Sequence, residues 1–257
     1  MRRLANTARV WLPALAIMVA AIAAWEVYVR AFDVQKWLLP SPSIVARTLV
    51  NDSGMLWGHT WVTLGEVLVG FGVALAVGVA LASAIVLSRT VERALYPFLI
   101  ASQTVPIIVI APLLIIWVGY GLTPKVIVVA LISFFPIVVN TVDGMRSVDA
   151  DMVNVMRTLG ANRLQVFLKA QAPASLPYLF SGMKVAISVS VIGAVIGEWV
   201  GSSKGLGYLM IRSKPQFLTE RVFAAIAILS AMGTMLFALM TVAEKWAMPW
   251  RRVKSDS

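Results

Sequence analysis

The chain has 257 residues, of which 60 % are hydrophobic and 13 % are charged, and its formal net charge is +10. Soluble domains carry about a quarter charged residues, so this composition excludes an ordinary soluble protein and indicates a membrane protein. The positive charge does not predict nucleic-acid binding, because the basic residues stand at the ends of apolar runs rather than in an aromatic-rich polar patch. With no cysteine and one histidine, the sequence offers no disulfide, no thiol chemistry and no metal site.

The first apolar run covers residues 11–29 and predicts a membrane-spanning helix. The run is too long for the core of a secretory signal, and Trp25, Glu26 and Tyr28 make poor cleavage-site flanks, so we expect it to be retained. A Pro-Ser-Pro-Ser stretch then precedes a short amphipathic helix that ends near Asn51 and that we expect at the outer membrane interface. Residues 1–58 therefore form an N-terminal unit of one span and one interfacial helix.

Residues 59–246 are predicted to form a core of five further spans. These spans cover residues 60–87, 96–118, 125–140, 178–200 and 221–243. The first of them carries Gly65, Gly70, Gly72 and Gly78, and small residues allow close helix contacts in lipid. The next contains three prolines and is expected to face protein or a water-filled path, because each proline frees a backbone carbonyl. Residues 247–257 are expected to form a cytoplasmic tail.

The segment 143–177 is too polar to span the membrane and is patterned as two short helices. The apolar face of the first helix is formed at helical spacing by Met152, Val153, Met156 and Leu159. Gly160 is expected to end this helix in a left-handed conformation. Asn162 is expected to cap the second helix, with Gln165 as its capping-box partner. Pro173 is expected to end the second helix, because proline lacks the amide donor.

This segment resembles the cytoplasmic loop of ATP-binding-cassette (ABC) importer permeases. Their motif reads Glu-Ala-Ala, three residues, Gly, nine residues, Ile, one residue and Leu-Pro. In this chain Asn154-Val155-Met156 stands for Glu-Ala-Ala, Gly160 for the glycine and Pro173 for the proline, whereas Ala170 and Ala172 replace the Ile and Leu. Four flanking segments look like the branch that handles nitrate, sulfonates, taurine and pyrimidine precursors of thiamine: Gln103-Thr104-Val105-Pro106, Ala111-Pro112-Leu113, Phe135-Pro136 and Gly205-Leu206-Gly207-Tyr208.

The resemblance implies an all-α integral membrane protein of six transmembrane helices, with a two-helix coupling loop between the fourth and fifth. It implies a permease subunit in a bacterial inner membrane that pairs with a second copy, with ATPase subunits and with an extracytoplasmic substrate-binding protein. The chain has no phosphate-binding loop motif, so ATP and Mg²⁺ are expected on the partner ATPase, and no cofactor or catalytic residue is expected here. The expected ATPase contacts are Asn154, Arg157, Leu159, Gly160, Ala161, Asn162 and Pro173. The alternative for this loop is a helix lying on the lipid headgroups.

Polar residues within the predicted spans are candidates for a translocation path. They are Gln103, Thr104, Pro106, Ser133, Asn140, Ser188, Ser190 and Glu198. The alternative for the uncharged ones is hydrogen bonding between helices. For Glu198 the alternative is pairing with Lys204 or Arg212 at headgroup level. His59 is expected to be a plain interfacial residue rather than a proton relay.

Most of the lysines and arginines fall on one side if both termini and the coupling loop are cytoplasmic, and the positive-inside rule favours that orientation. The run Gly197-Glu198-Trp199-Val200-Gly201 resembles the branch for pyrimidine precursors of thiamine, which makes such a precursor or a similar heterocycle the best expectation for the substrate. Glu66 and Glu198 near the outer mouth would also repel an anion. The alternatives are sulfonate, taurine or nitrate in the same machine. A proton-coupled secondary transporter is an alternative of another class, but the carboxylates cluster at helix ends rather than at the midplane.

Overall fold

The structure is a computed structural model that describes the backbone of residues 2–249 and the side chains of residues 12–249. Within these residues every regular element is a helix, and there is no β-strand. In chain order the helices are α1 (Arg2–Ala31), α2 (Pro42–Asn51), α3 (Ser53–Leu87), α4 (Arg89–Ser102), α5 (Ile107–Val118), α6 (Leu122–Arg146), α7 (Ala150–Thr158), α8 (Arg163–Val166), α9 (Ala172–Gly201), α10 (Leu206–Ser213) and α11 (Thr219–Ala247). Most of the predicted cytoplasmic tail, from residue 250 onward, lies outside the described residues.

The described residues contain five helical runs that are long and apolar enough to cross a membrane, and a sixth span if α4 and α5 are counted together. This confirms the predicted all-α membrane architecture. The core lies where α3, α6, α9 and α11 meet, with residues such as Val67, Val129 and Ile187 fully buried. Helix α1 is peripheral, and Glu26 fastens it to α2 by accepting hydrogen bonds from the amide (2.9 Å) and hydroxyl (2.8 Å) of Ser43.

Glycines of α3 allow that helix to approach α6 closely. A Cβ atom on Gly78 would lie 2.9 Å from a methyl group of Ile137, and one on Gly70 would overlap Val129. The predicted role of these two glycines in close packing is confirmed. Gly65 and Gly72 instead face open space, so the same prediction is wrong for them. Helical spacing explains the difference, because only one face of α3 meets α6.

We expect Gly182→Ala to destabilise the contact between α6 and α9. A Cβ atom at this position would lie 2.6 Å from the carbonyl oxygen of Pro136, which cannot move without shifting the helix. Overpacking of this kind costs about 1–3 kcal/mol, and the thermal midpoint of the purified chain should fall by several degrees. Gly65→Ala is the matched control, since it adds the same methyl group in open space and alanine favours helix. Equal midpoints for the two variants would contradict this packing.

The third predicted span is not a continuous helix. Helices α4 and α5 meet at an angle of 104°, and residues 103–106 form the bend. Pro106 stands at the N-terminal cap of α5, has no amide hydrogen and forces the preceding residue out of the helical region. The prediction of one span over residues 96–118 is therefore corrected to two helices joined by a sharp bend.

Two predicted helix ends are also wrong. The fourth span is predicted to end at residue 140, but α6 continues through Pro136 to Arg146, and the Asn140 side chain donates a 2.8 Å hydrogen bond to the carbonyl of Pro136. Pro173 was expected to end the second helix of the coupling loop. Instead, a π-helical turn at Phe167–Gln171 joins α8 to α9, and Pro173 lies in the first turn of α9, where a missing amide is tolerated.

Candidate functional site

The turn between α7 and α8 is specified by two local motifs. Gly160 has φ +85°, and its amide donates a hydrogen bond to the carbonyl of Arg157 (2.9 Å). The amide of Ala161 donates a hydrogen bond to the carbonyl of Met156 (2.9 Å). These bonds form a Schellman motif. Asn162 and Gln165 then form a reciprocal capping box, with both hydrogen bonds at 2.8 Å. The predicted left-handed glycine and the predicted capping box are both confirmed.

Helix α7 carries an apolar stripe that the chain itself does not cover. None of its residues is buried, and Met152, Val155 and Leu159 are all more than half exposed. These three residues lie on one face at helical spacing, whereas Val153 and Met156 turn partly toward the protein. Leu159 is the most exposed of the three, at 81 %. An uncovered apolar stripe on a polar segment is typical of an interaction surface.

Six of the seven expected ATPase contacts lie in α7 and the turn after it, although helical spacing puts Arg157 on the face of α7 opposite the apolar stripe. Asn154, Arg157, Leu159, Gly160 and Asn162 are exposed, and Ala161 is half-buried between them. Pro173 is also exposed but stands apart, in the first turn of α9. The exposed apolar surface is therefore formed by Met152, Val155 and Leu159, with the turn at residues 160–162 at its end.

At the opposite end of α9, three side chains hold the N-terminus of α10. The first amides of a helix have no partner within it, and a cap must come from elsewhere. The amide of Gly205 donates to Nδ1 of His59 (2.9 Å), and that of Leu206 donates to Oγ1 of Thr63 (2.9 Å). The amide of Gly207 donates to Oε2 of Glu198 (2.5 Å). We call these three side chains and the amides of residues 205–207 the α10 cap.

Glu198 is the centre of the α10 cap. It is 1 % exposed, and its other carboxylate oxygen accepts a 2.6 Å hydrogen bond from the Thr63 hydroxyl. The sequence-based alternative, pairing with Lys204 or Arg212 in the headgroups, is wrong, because Arg212 donates to the Tyr208 hydroxyl instead (2.6 Å). A carboxylate at a helix N-terminus is stabilised by the helix dipole as well as by its hydrogen bonds.

A second buried group lies beside the α10 cap. The Lys125 ammonium donates to Glu66 (2.6 Å) and to the Ser202 hydroxyl (2.7 Å), which links α6, α3 and the loop after α9. Both charged residues are less than 10 % exposed. Lys125 also lines an adjacent cavity of about 640 Å³, together with Glu198 and the aromatic rings of Tyr120, Trp199 and Tyr208. This end of the membrane spans thus combines a buried polar cluster with an aromatic pocket.

Three of the expected path residues surround one cavity at the bend between α4 and α5. Gln103, Pro106 and Asn140 line this cavity of about 550 Å³, which Val185 and Val189 close from the side of α9. Thr104 lies at the same bend, is exposed, and donates to the carbonyl of Ala101 (2.8 Å).

The three serines lie elsewhere. Ser133 and Ser190 are fully buried and hydrogen-bonded to each other between α6 and α9 (2.7 Å), so in this conformation they serve the helix contact. Ser188 bonds to the carbonyl of Lys184 (2.9 Å) and faces a groove toward α11.

His59, Thr63 and Lys125 are site residues that the sequence did not reveal. They come from α3 and α6, whereas the segment they hold is the loop and helix after α9, which lies between the predicted spans 178–200 and 221–243. The one local signal in the sequence is the glycine at position 205. In the structure Gly205 has φ +113°, a conformation that favours glycine, and it is the N-cap residue of α10. The 30 residues of α9 separate this end from the coupling loop by roughly 45 Å, at about 1.5 Å per residue. The two candidate sites therefore lie at opposite ends of a helix that is long enough to span a membrane.

Residues 72–248 match the family described as the binding-protein-dependent transport system inner membrane component. The chain is 39 % identical to the formylaminopyrimidine transport permease protein ThiX of Halalkalibacterium halodurans, over 89 % of this chain and 91 % of that protein. It is 37 % identical to the riboflavin transport system permease protein RibX of Chloroflexus aurantiacus (88 % and 85 % covered). It is 30 % identical to the aliphatic sulfonates transport permease protein SsuC of Bacillus subtilis, which is described as putative (94 % and 88 % covered).

The fold also matches a solved structure, that of the MetNI methionine ABC transporter in an inward-facing form. The TM-score is 0.67 at 16 % identity, over 75 % of this chain and 96 % of that one. The chain therefore belongs to the binding-protein-dependent inner-membrane component family. It is an ABC importer permease of the branch that also contains the thiamine-precursor and sulfonate permeases.

Proposed function

We propose that this permease imports a small planar heterocycle, with a formylaminopyrimidine as the best candidate, after delivery by an extracytoplasmic binding protein. The relatives named for a formylaminopyrimidine and for riboflavin share more identity with the chain than the relative named for sulfonates does. The outer cavity supports the same choice. Its aromatic side chains Tyr120, Trp199 and Tyr208 suit the face of a heterocyclic ring, and Lys125 offers a polar contact at its edge.

The α7 stripe is the observation that carries the coupling role in this proposal. Met152, Val155 and Leu159 find no cover within the chain, and a groove on an ATPase subunit would bury them. Two copies of the permease would receive two ATPase subunits through these surfaces. Closure of the ATPases on ATP would then move α7 and α8 and switch the path from inward-facing to outward-facing. Gln103, Pro106 and Asn140, around the cavity at the bend, are the proposed path residues.

The orientation in this proposal puts the coupling segment in the cytoplasm and the α10 cap outside. The native chain has no cysteine, so single introduced cysteines have no background. We expect a cysteine at Thr158, which is exposed on α7, to react only with reagents that enter the cytoplasm. A cysteine at Ser203, exposed in the loop before α10, should react from outside with an impermeant maleimide. Reversed labelling would place α7 on the wrong side for an ATPase.

The substrate assignment is tested by competition. The complete importer in liposomes, supplied with its binding protein, should take up labelled formylaminopyrimidine, and unlabelled formylaminopyrimidine should compete while taurine and nitrate should not. Binding of each compound to the isolated binding protein provides the control for delivery. Competition by taurine or an alkyl sulfonate, without competition by the heterocycle, would overturn the assignment and leave the ABC importer class unaffected.

A further inference from the structure

Four arginines surround one small cavity beside the coupling segment. The cavity has a volume of about 360 Å³, and its charged lining consists of Arg89, Arg146, Arg157, Arg163 and Glu92. We call this cavity and these five side chains the arginine pocket. The arginines come from four different helices, α4, α6, α7 and α8, so the fold rather than a local run of sequence brings them together.

The charges in the arginine pocket do not balance. Arg146 pairs with Glu92 at 2.6 Å. Among residues 12–249, no carboxylate forms an ion pair with Arg89, Arg157 or Arg163. The pocket therefore presents three uncompensated positive charges to one small space. Such an arrangement is repulsive unless an anion lies between the guanidinium groups.

The position of the pocket indicates the source of that anion. Arg89 follows the end of α3, Arg146 is the last residue of α6, and Arg163 is the first residue of the helical run that continues into α9. Three candidate membrane spans thus end beside the pocket, and α6, with 25 residues or roughly 37 Å, is long enough to carry Arg146 from one headgroup level to the other. Apolar residues at the helix ends, Val86 and Leu87, form another part of the wall. A guanidinium binds phosphate oxygens in pairs, and basic pockets between helices on the cytoplasmic side suit anionic headgroups.

We propose that the arginine pocket binds the phosphate group of an anionic phospholipid from the cytoplasmic leaflet. The bound phosphate joins Arg157 on the coupling helix to the ends of the spans, so the lipid fixes the position of α7 relative to the membrane core. The inference rests on the proposed function in one respect: the orientation proposed there puts the pocket on the cytoplasmic side of the membrane. An acidic segment of the ATPase subunit is the competing occupant. A cleft that is lined by four helices and partly walled by the apolar end of α3 fits a headgroup better than a protein surface.

The test measures lipid binding to the purified full-length chain in a neutral detergent, by native mass spectrometry. Phosphatidylglycerol, phosphatidylcholine and inorganic phosphate are the three probes. We expect the chain to prefer phosphatidylglycerol over phosphatidylcholine. The double variant R89Q/R163Q should bind phosphatidylglycerol roughly 30-fold more weakly, because each basic residue contributes about a factor of five at an anionic surface.

Two further variants control for charge and folding. R47Q/R93Q removes the same charge from exposed arginines outside the pocket and should bind like the native chain. R89K/R163K keeps the charge and should retain most of the binding, which separates loss of the site from loss of the fold.

Three outcomes would overturn the proposal. The first is equal phosphatidylglycerol binding by the native chain and R89Q/R163Q. The second is displacement by inorganic phosphate with no preference among the lipids, which would indicate a free-anion site. The third is unchanged lipid binding in R89Q/R163Q together with lost ATPase co-purification, which would assign the pocket to the ATPase subunit. Binding is measured without ATPase or substrate, so a failed importer assignment would leave this result interpretable.

Discussion

Glu198→Ala is expected to release the N-terminus of α10 and to lower uptake at least about tenfold. The substitution removes the acceptor of the Gly207 amide and of the Thr63 hydroxyl in a fully buried site. Each buried polar group that loses its partner costs about 1–3 kcal/mol, and 1.4 kcal/mol corresponds to a factor of ten in an equilibrium. A Cβ atom at position 205 would overlap the Glu198 carboxyl group, so glycine at this position is what lets the carboxyl group approach the amides of α10.

Hydrogen exchange distinguishes this structural role from a role in the path. In Glu198→Ala the amides of residues 205–207 should exchange faster than in the native chain. Glu198→Gln keeps one acceptor oxygen and should show a smaller effect on exchange and uptake. A path residue would behave differently, since the glutamine variant would change uptake while exchange at residues 205–207 stayed native.

Arg212→Gln serves as the control for headgroup pairing. Its guanidinium contacts Tyr208 on the exposed face of α10 and does not touch Glu198, so we expect near-native uptake and exchange. Unchanged uptake and exchange in Glu198→Ala would contradict the α10 cap.

Gly160→Val is expected to uncouple transport from ATP hydrolysis while leaving insertion intact. Gly160 has φ +85°, and a β-branched side chain in this region is strained by roughly 1–2 kcal/mol or more. The strain would open the Schellman turn and misdirect α7 relative to α8. No neighbouring atom lies within 4 Å of the Cβ position, so the backbone rather than a clash within the chain carries the effect.

Gly160→Asn is the matched control, because asparagine tolerates the left-handed conformation and should retain most of the coupling. Gly160→Asp tolerates the turn similarly, so any larger loss in that variant would report on the charge placed in the ATPase groove. The measurements are the amount of permease in the membrane fraction, ATPase co-purification and ATP-driven uptake. Native coupling in Gly160→Val would remove this turn from the mechanism.

The contrast between these two regions shows which features the sequence could predict. The turn at Gly160 and the capping box at Asn162 depend on residues within five positions of each other, so local spacing revealed them. The α10 cap joins residues more than 130 positions apart, and no local pattern relates His59 to Gly205 or Thr63 to Glu198. A single sequence gives the elements but not the pairing of elements that creates such a cluster.

The wrong helix boundaries have a similar explanation. Each proline marks a position without an amide donor. Whether the helix bends, continues or begins there depends on the surrounding backbone. Pro106 stands at a 104° bend, and Pro136 lies within a continuous helix. Pro173 follows a π-helical turn and lies in the first turn of α9, where a backbone amide is not required. The glycines of α3 were predicted as a group to pack closely. Gly70 does so because it faces α6, whereas Gly65 lies on another face of the same helix and has no neighbour among the described residues.

The most direct test of the account is the energy source of uptake. Liposomes should contain the permease, its ATPase partner and internal ATP, with the binding protein and labelled heterocycle outside. We expect uptake that requires ATP and the ATPase subunit, that persists when a protonophore collapses the proton gradient, and that disappears in Gly160→Val. Uptake by the permease alone, driven by a proton gradient and abolished by the protonophore, would contradict the coupling role of α7 and α8 and indicate a secondary transporter.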